Sequence, residues 1–316
     1  MTNDTRVPVI LPEALGYLPD LKRAAAQRFR SNTTSMDEPS DPPKVRPFLR
    51  WAGSKRRLVP ILQTFWDPQR HSRYVEPFMG SACLFFQLRP DRAVLSDSNG
   101  QLVELFQTVR DRPDEVHARL SAIPRTENRY YKERAKDPNR MKPLNRAVRF
   151  LYLNRNCFNG LYRTNGSGRF NVPYAGPARR AGGYPSAEEL AIAGTALRSA
   201  RIEQGDFDSV VRKVLAAGDL VYLDPPYAVE NRRVFKQYGP QVFGRVDIER
   251  MATLLGDIDA AGSEFVVSYA DCPEARDAFQ GWHIIEASTR RNISGFSKHR
   301  RIDSELIVTN QKTVDS

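Results

Sequence analysis

The stretch V-Y-L-D-P-P-Y at 221–227 runs three apolar residues into an acid, two prolines and an aromatic ring. Proline has no N–H to donate to a sheet ladder, so the apolar run reads as a buried strand that stops abruptly. It leaves Asp224 and Tyr227 at the strand's tip. A plain strand-ending turn needs only Asp-Pro or Gly. A carboxylate, a rigid backbone and a flat ring together suit chemistry on a flat, polar ring.

Similar apolar runs lie at 74–76, 93–96, 200–203, 220–223, 264–268, 283–286 and 305–309. Between several of them stand amphipathic stretches such as Q-L-V-E-L-F-Q-T-V-R (101–110) and V-D-I-E-R-M-A-T-L-L-G-D-I-D-A-A (246–261). Strands alternating with helices predict an α/β fold with a mostly parallel sheet. A loop, not a helix, joins the last two runs, which predicts an antiparallel edge.

The interval 113–199 breaks this alternation. It holds 16 Lys/Arg against 7 Asp/Glu, a net of +9 within a chain whose formal charge is +11. Solvated helical faces usually mix both signs, so this mainly helical insertion reads as a nucleic-acid surface. Residues 1–46 read as an extension, with one amphipathic helix followed by a linker rich in Ser, Asp and Pro.

Composition excludes several classes. The 316 residues, 41% of them hydrophobic, suffice for a large folded core. Three scattered cysteines and four histidines offer neither a disulfide framework nor zinc-ligand spacing, so no metal is expected and a reducing cytosol fits. No stretch nears the roughly 20 apolar residues of a membrane span, and the N-terminus lacks the apolar core of a signal peptide.

R-Y-V-E-P-F-M-G-S-A-C-L-F-F (73–86) places a small-residue turn between a strand and an apolar helix. Such a turn lets a ligand approach the backbone at the sheet's carboxyl edge. The fingerprint G-x-G-x-x-G is absent, which disfavours a nicotinamide enzyme. Asp97, in L-S-D-S-N, stands where an acid typically accepts from ribose hydroxyls, about 20 residues past the turn.

An adenine amino group is a poor nucleophile, because its lone pair is delocalised into the ring. A site that methylates it must accept hydrogen bonds from that group and hold the base flat. Asp224 and the Pro225 carbonyl can accept, the two prolines preorganise them, and Tyr227 can stack. The target must first leave the duplex stack.

Taken in order, these motifs resemble those of the Dam-type (α-group) DNA adenine-N6 methyltransferases, over roughly residues 47–310. P-F-L-R-W-A-G-S-K (47–55) resembles their opening segment, V-E-P-F-M-G-S-A (75–82) their cofactor loop, and S-D-S-N (96–99) their ribose-binding acid. N-R-N-C-F-N-G-L-Y-R (154–163) and G-R-F-N-V-P-Y (168–174) resemble their DNA-reading stretch. E-Q-G-D-F (203–207) resembles their adenine-contacting strand, and D-P-P-Y (224–227) their catalytic tetrapeptide.

The resemblance implies a Rossmann-like class I methyltransferase sheet, formed by 47–112 and 200–316 and binding S-adenosylmethionine, with 113–199 as a target-recognition subdomain. It implies that Trp51, Lys55, Phe78, Gly80, Asp97, Asp206, Phe207 and Asp224 hold the cofactor. Asp224, Pro225, Pro226 and Tyr227 would hold the target base. Phe158 would wedge into the base stack, and Arg163 would read a guanine. Arg50, Asn156, Asn159, Leu161, Asn171 and Pro173 complete the implied DNA-facing set. The partner is double-stranded DNA, with GATC as the suggested site. The expected context is a monomer in the cytoplasm, bacterial or phage-encoded, paired functionally with a restriction endonuclease. Cytosine-N4 or RNA methylation, or an inactive DNA-binding relative, are the competing readings.

Two departures stand out. Ser54 replaces the second glycine usual after Trp-Ala, and Ala82 replaces the second glycine of the cofactor loop. An added methyl at a positive φ predicts weaker cofactor binding at worst.

Overall fold

A computed structural model describes residues 45–176, 182–227, 243–290 and 302–311. The expected N-terminal helix and linker of residues 1–44 lie outside these. The strands are β1 (Arg73–Glu76), β2 (Ala93–Asp97), β3 (Ala200–Gln204), β4 (Asp219–Leu223), β5 (Glu264–Ala270), β6 (His283–Arg290) and β7 (Ile302–Thr309). Each contains one of the apolar runs read from the sequence.

They form one sheet in the order β3-β2-β1-β4-β5-β7-β6. The pairs β1–β2, β1–β4, β2–β3 and β4–β5 are parallel. Strand β7 runs antiparallel to both β5 and β6. The expected antiparallel edge is therefore present, with β7 lying between β5 and the outermost strand β6.

All five residues of β4 are buried. Leu220 and Tyr222 face one hydrophobic cluster, while Val221 and Leu223 face a second. A strand covered on both faces loses the apolar–polar alternation, which is why V-Y-L reads as an unbroken run. Truncating Leu220 or Leu223 to Ala would cost about 2–5 kcal/mol, so β4 is a stiff platform for the tetrapeptide at its end.

The first face is covered by α1 (Cys83–Leu88), α2 (Gly100–Asp111), α3 (Pro113–Ser121), α4 (Glu127–Ala135), α5 (Pro143–Asn156) and α6 (Ala187–Leu197). The Asn99 side chain caps α2, accepting from the Gln101 and Leu102 N–H groups. Ser186 and Glu189 form a reciprocal capping box on α6, each supplying an oxygen to an otherwise orphaned N–H. The second face is covered by α7 (Phe207–Val214), α8 (Arg245–Ala260) and α9 (Pro273–Ala278).

Among the described residues, the helices of the basic interval share the sheet's core. Tyr130, Leu144, Phe150 and Leu190 share one cluster with Tyr74 and Tyr222 of the sheet. After α5 the chain makes a narrow ribbon, closed by antiparallel bridges between Cys157 and Tyr174 and between Thr164 and Phe170. Residues 165–169 at its tip are exposed.

Strand order reverses between β1 and β4. In open α/β sheets, ligands bind beyond the carboxyl ends of the strands at such a switch point. The turn of Gly80 and the tetrapeptide of Asp224 extend from these two neighbouring strands.

Candidate active site and DNA-facing ribbon

Asp224 sits one residue beyond β4, and among the described residues both of its side-chain hydrogen-bond partners fall on Oδ1. Lys55 Nζ donates to that oxygen at 2.5 Å and Ser268 Oγ at 3.0 Å. This leaves Oδ2 for a further donor. Burial pushes the Asp224 carboxyl above its ordinary range, while Lys55 and Ser268 act against that shift. Lys55 is itself buried and also donates to the Gly53 carbonyl at 3.1 Å. Behind Ser268, the Tyr222 hydroxyl lies at 3.0 Å. Three elements thus fix one carboxylate: the opening segment, β4 and β5.

The Tyr227 ring lies below the same cation, with Lys55 Nζ 4.8 Å from its centroid. Its hydroxyl donates to Glu305 Oε2 at 3.1 Å. Pro225 is buried, and Pro226 and Tyr227 are half-buried.

On the neighbouring strand, the half-buried Asp97 accepts from the Gly80 N–H at 3.2 Å and the Asn99 N–H at 2.9 Å. Burial nevertheless pushes its pKa up to about 6. Gly80 has φ +45°, and an added Cβ would come within 2.7 Å of Trp51 Cδ1. Only glycine fits there. Trp51 stacks on Tyr162 at 5.7 Å, and Tyr162 stacks on Phe150 at 5.1 Å. The cofactor-type loop is therefore wedged against α5 and the ribbon.

Ala82 adopts φ +50°, ψ +38° as the N-cap of α1. This is the left-handed region that the replaced glycine would occupy freely, and it costs an L-residue about 1–2 kcal/mol. The Ser54 and Ser81 hydroxyls share a hydrogen bond of 3.2 Å, tying the opening segment to the loop.

Phe78 and Phe207 stack at 5.1 Å with 26° between their planes. Asp206 caps α7 through the Asp208 N–H, and its Oδ1 also takes Arg250 Nη2 at 2.5 Å. The Arg250 guanidinium lies 4.8 Å from the Phe207 centroid.

The proposed DNA-facing residues divide. Arg50, Asn159 and Pro173 are exposed, and Phe158, Leu161, Arg163 and Asn171 are half-buried. Asn159 has φ +55°. Arg163 Nε donates to Asn171 Oδ1 at 2.8 Å across the ribbon, and the Asn171 N–H donates to the Arg163 carbonyl at 3.0 Å. Phe158 packs against the first hydrophobic cluster while its N–H donates to the Pro173 carbonyl at 3.0 Å. Asn156 is a correction. It is fully buried, donates to the Tyr152 carbonyl at 2.7 Å and accepts from Arg125 Nε at 2.9 Å. An amide spent in this way holds the end of α5 and cannot face DNA.

Sequence reasoning missed Ser268, Glu305 and the buried Glu76. Burial holds the Glu76 carboxyl well above its usual range, although Tyr74 donates to it at 3.0 Å. Each is a buried polar residue next to apolar strand residues, and such residues need a buried partner. That signal is present in V-V-S-Y and S-E-L-I-V.

Among the described residues no helix is long and apolar enough to cross a membrane. Residues 51–293 match the family described as D12 class N6 adenine-specific DNA methyltransferase. A type II methyltransferase of Lactococcus lactis subsp. cremoris is 31% identical, over 84% of this chain and 95% of its own length. The DNA adenine methylase of Escherichia coli K12 is 32% identical, again over 84% of this chain and 95% of its own. That of Haemophilus influenzae is 30% identical, over 84% of this chain and 93% of its own. With the family match spanning most of the chain and the motifs meeting at one switch point, the chain belongs to the D12 class of N6 adenine-specific DNA methyltransferases.

Proposed function

We propose that the protein methylates adenine N6 in duplex DNA, with S-adenosylmethionine as donor and the Asp224–Tyr227 segment holding a flipped-out base. The observation that carries this reading is the one-sided bonding of Asp224 among the described residues. Lys55 and Ser268 anchor Oδ1, so Oδ2 is preorganised to accept from an exocyclic amino group. Tyr227 supplies a flat face for the base. Extruding the base from the stack costs a few kcal/mol, which stacking and these acceptors offset.

The neighbouring residues fit a nucleoside donor. Asp97 presents a carboxylate oriented by two backbone N–H groups, as a ribose needs. Phe78, Phe207 and Asp206 offer an aromatic wall beside an acceptor, as an adenine ring needs. A bound sulfonium donor would supply the methyl to N6, its C–S bonding pair staying on sulfur as a neutral thioether, and the proton lost from N6 would pass to water. Asp224 orients the N6 lone pair, and no covalent enzyme intermediate is needed.

In the ribbon, Arg163 would read a base edge and Phe158 would fill the gap left in the stack. The likeness of F-N-G-L-Y-R and F-N-V-P-Y to the Dam-type stretch supports GATC as the site. The Lactococcus relative, a type II methyltransferase, supports a functional pairing with a restriction endonuclease. A cytoplasmic monomer suits both roles.

The test is nucleoside mass spectrometry of unmethylated duplex DNA incubated with protein and donor. N6-methyladenine is expected, and sequencing of modified positions gives the site. Asp224→Asn should lower turnover by roughly a hundredfold or more while DNA affinity is retained. N4-methylcytosine would move the target base. Retained turnover in Asp224→Asn would refute the assignment of Asp224.

A further inference from the structure

We infer that Glu305 is a positioning residue for methyl transfer, setting the Tyr227 ring on which the target base would stack. It accepts from the Tyr227 hydroxyl at 3.1 Å through Oε2. The same oxygen lies 3.9 Å from Lys55 Nζ, whose other carboxylate neighbour is Asp224 at 2.5 Å. Glu305 and Lys55 are both buried, so neither the contact nor the charge pair is weakened by bulk water.

The fold explains why this carboxylate is there. Glu305 belongs to β7, the reversed strand next to β5. It pairs with Ala270 of β5, two residues beyond Ser268. Ser268 bonds Asp224 and Glu305 bonds Tyr227, so β5 and β7 each deliver one polar side chain to one end of the tetrapeptide. A tyrosine on a loop has two side-chain torsions to fix. The ring is already edged by Tyr269 at 5.1 Å and capped by Lys55, and the hydroxyl link fixes its remaining freedom. A base-stacking platform must hold its plane to within a fraction of an ångström, because small misplacements cost large factors in rate.

The inference rests on reading Asp224–Tyr227 as the target-base site. Wild-type protein that makes no N6-methyladenine would sink that reading. Active wild type with insensitive Glu305 variants would sink only this inference.

The experiment is steady-state kinetics of the full chain on duplex DNA for Glu305→Ala, Glu305→Gln, Tyr227→Phe and the Glu305→Ala/Tyr227→Phe double variant. Thermal melts confirm folding. Glu305→Ala should lower kcat roughly tenfold, with KM for S-adenosylmethionine within about twofold of wild type. Glu305→Gln should recover most of the loss, since its amide oxygen can still accept from the phenol. Tyr227→Phe should lower kcat severalfold, and the double variant should be no worse than Glu305→Ala, as a shared contact requires. Unchanged kcat, losses that multiply in the double variant, or a Gln variant as poor as Ala would overturn the inference. If Glu305→Ala fails to fold, Tyr227→Phe decides: unchanged kcat there overturns it.

Discussion

Asp97 shows how a single side chain can couple pH to ligand binding. Two N–H groups bond its carboxylate, yet burial still raises its pKa to about 6. In the proposed role of Asp97, ribose hydroxyls would donate to the ionised form, so donor affinity should fall as pH drops through about 6. Between pH 7 and pH 5 the loss should be about tenfold. The effect on the unliganded fold has the opposite sign. A carboxyl raised in the folded state contributes stability that is full below its unfolded pKa of about 4 and lost as pH rises through about 6. The rise in Tm produced by S-adenosylhomocysteine should therefore grow with pH, and Asp97→Asn should flatten that dependence. Scanning calorimetry with and without ligand measures both. An Asp97→Asn protein with the wild-type pH profile would show that another group titrates.

The elements were more legible than their neighbours. V-Y-L betrayed β4 because both its faces are covered, and the run of Asp, two prolines and Tyr marked where its ladder ends. The turn of Gly80 and the acid at Asp97 were legible for the same reason: each is local chemistry at a strand end. The place of β7 was not legible. Its pairing with β5 joins residues some forty positions apart, and only the assembled sheet determines it. Ser268 and Glu305 were hidden with it, since a polar residue beside apolar strand residues does not name its partner. The fate of Asn156 was hidden too, because the burial of the last turn of α5 depends on Arg125 and Tyr152. Within the ribbon, Arg163 is braced by Asn171, and a planar fork held from one side suits a guanine edge. Arg163→Ala should cost about 1–3 kcal/mol of discrimination at one base position. Asn171→Ala should give a weaker version of the same change, because it frees the guanidinium without removing it. Sequencing of methylated sites in a random DNA pool checks both. An unchanged pattern in Arg163→Ala would assign that side chain to phosphate alone.

At the scale of the whole molecule, charge and core answer different questions. The interval 113–199 announced itself by its net charge of +9, and that excess says something about a partner. It says nothing about independence, and the helices of the interval pack into the same cluster as the sheet's first face. The ribbon proposed to read DNA is therefore mounted on the sheet's own scaffold, through the Trp51–Tyr162–Phe150 stack. DNA affinity should consequently be set by counterion release and site choice by the few braced side chains. A protein neutralising about six phosphates loses roughly a thousandfold in affinity between about 50 and 200 mM salt. Arg169, at the exposed tip of the ribbon, is held through its backbone, the N–H donating to Asn165 Oδ1 at 2.9 Å and the carbonyl accepting from the Asn165 N–H at 2.8 Å. Arg169→Ala should weaken binding equally on every sequence and reduce the slope of log K against log salt by about one. The methylation pattern should stay the same, in contrast to Arg163→Ala. Fluorescence anisotropy across a salt series, read beside the methylation pattern, separates the two. A changed pattern in Arg169→Ala would mean that the ribbon tip reads sequence, and the division between its anchoring and reading residues would have to be redrawn.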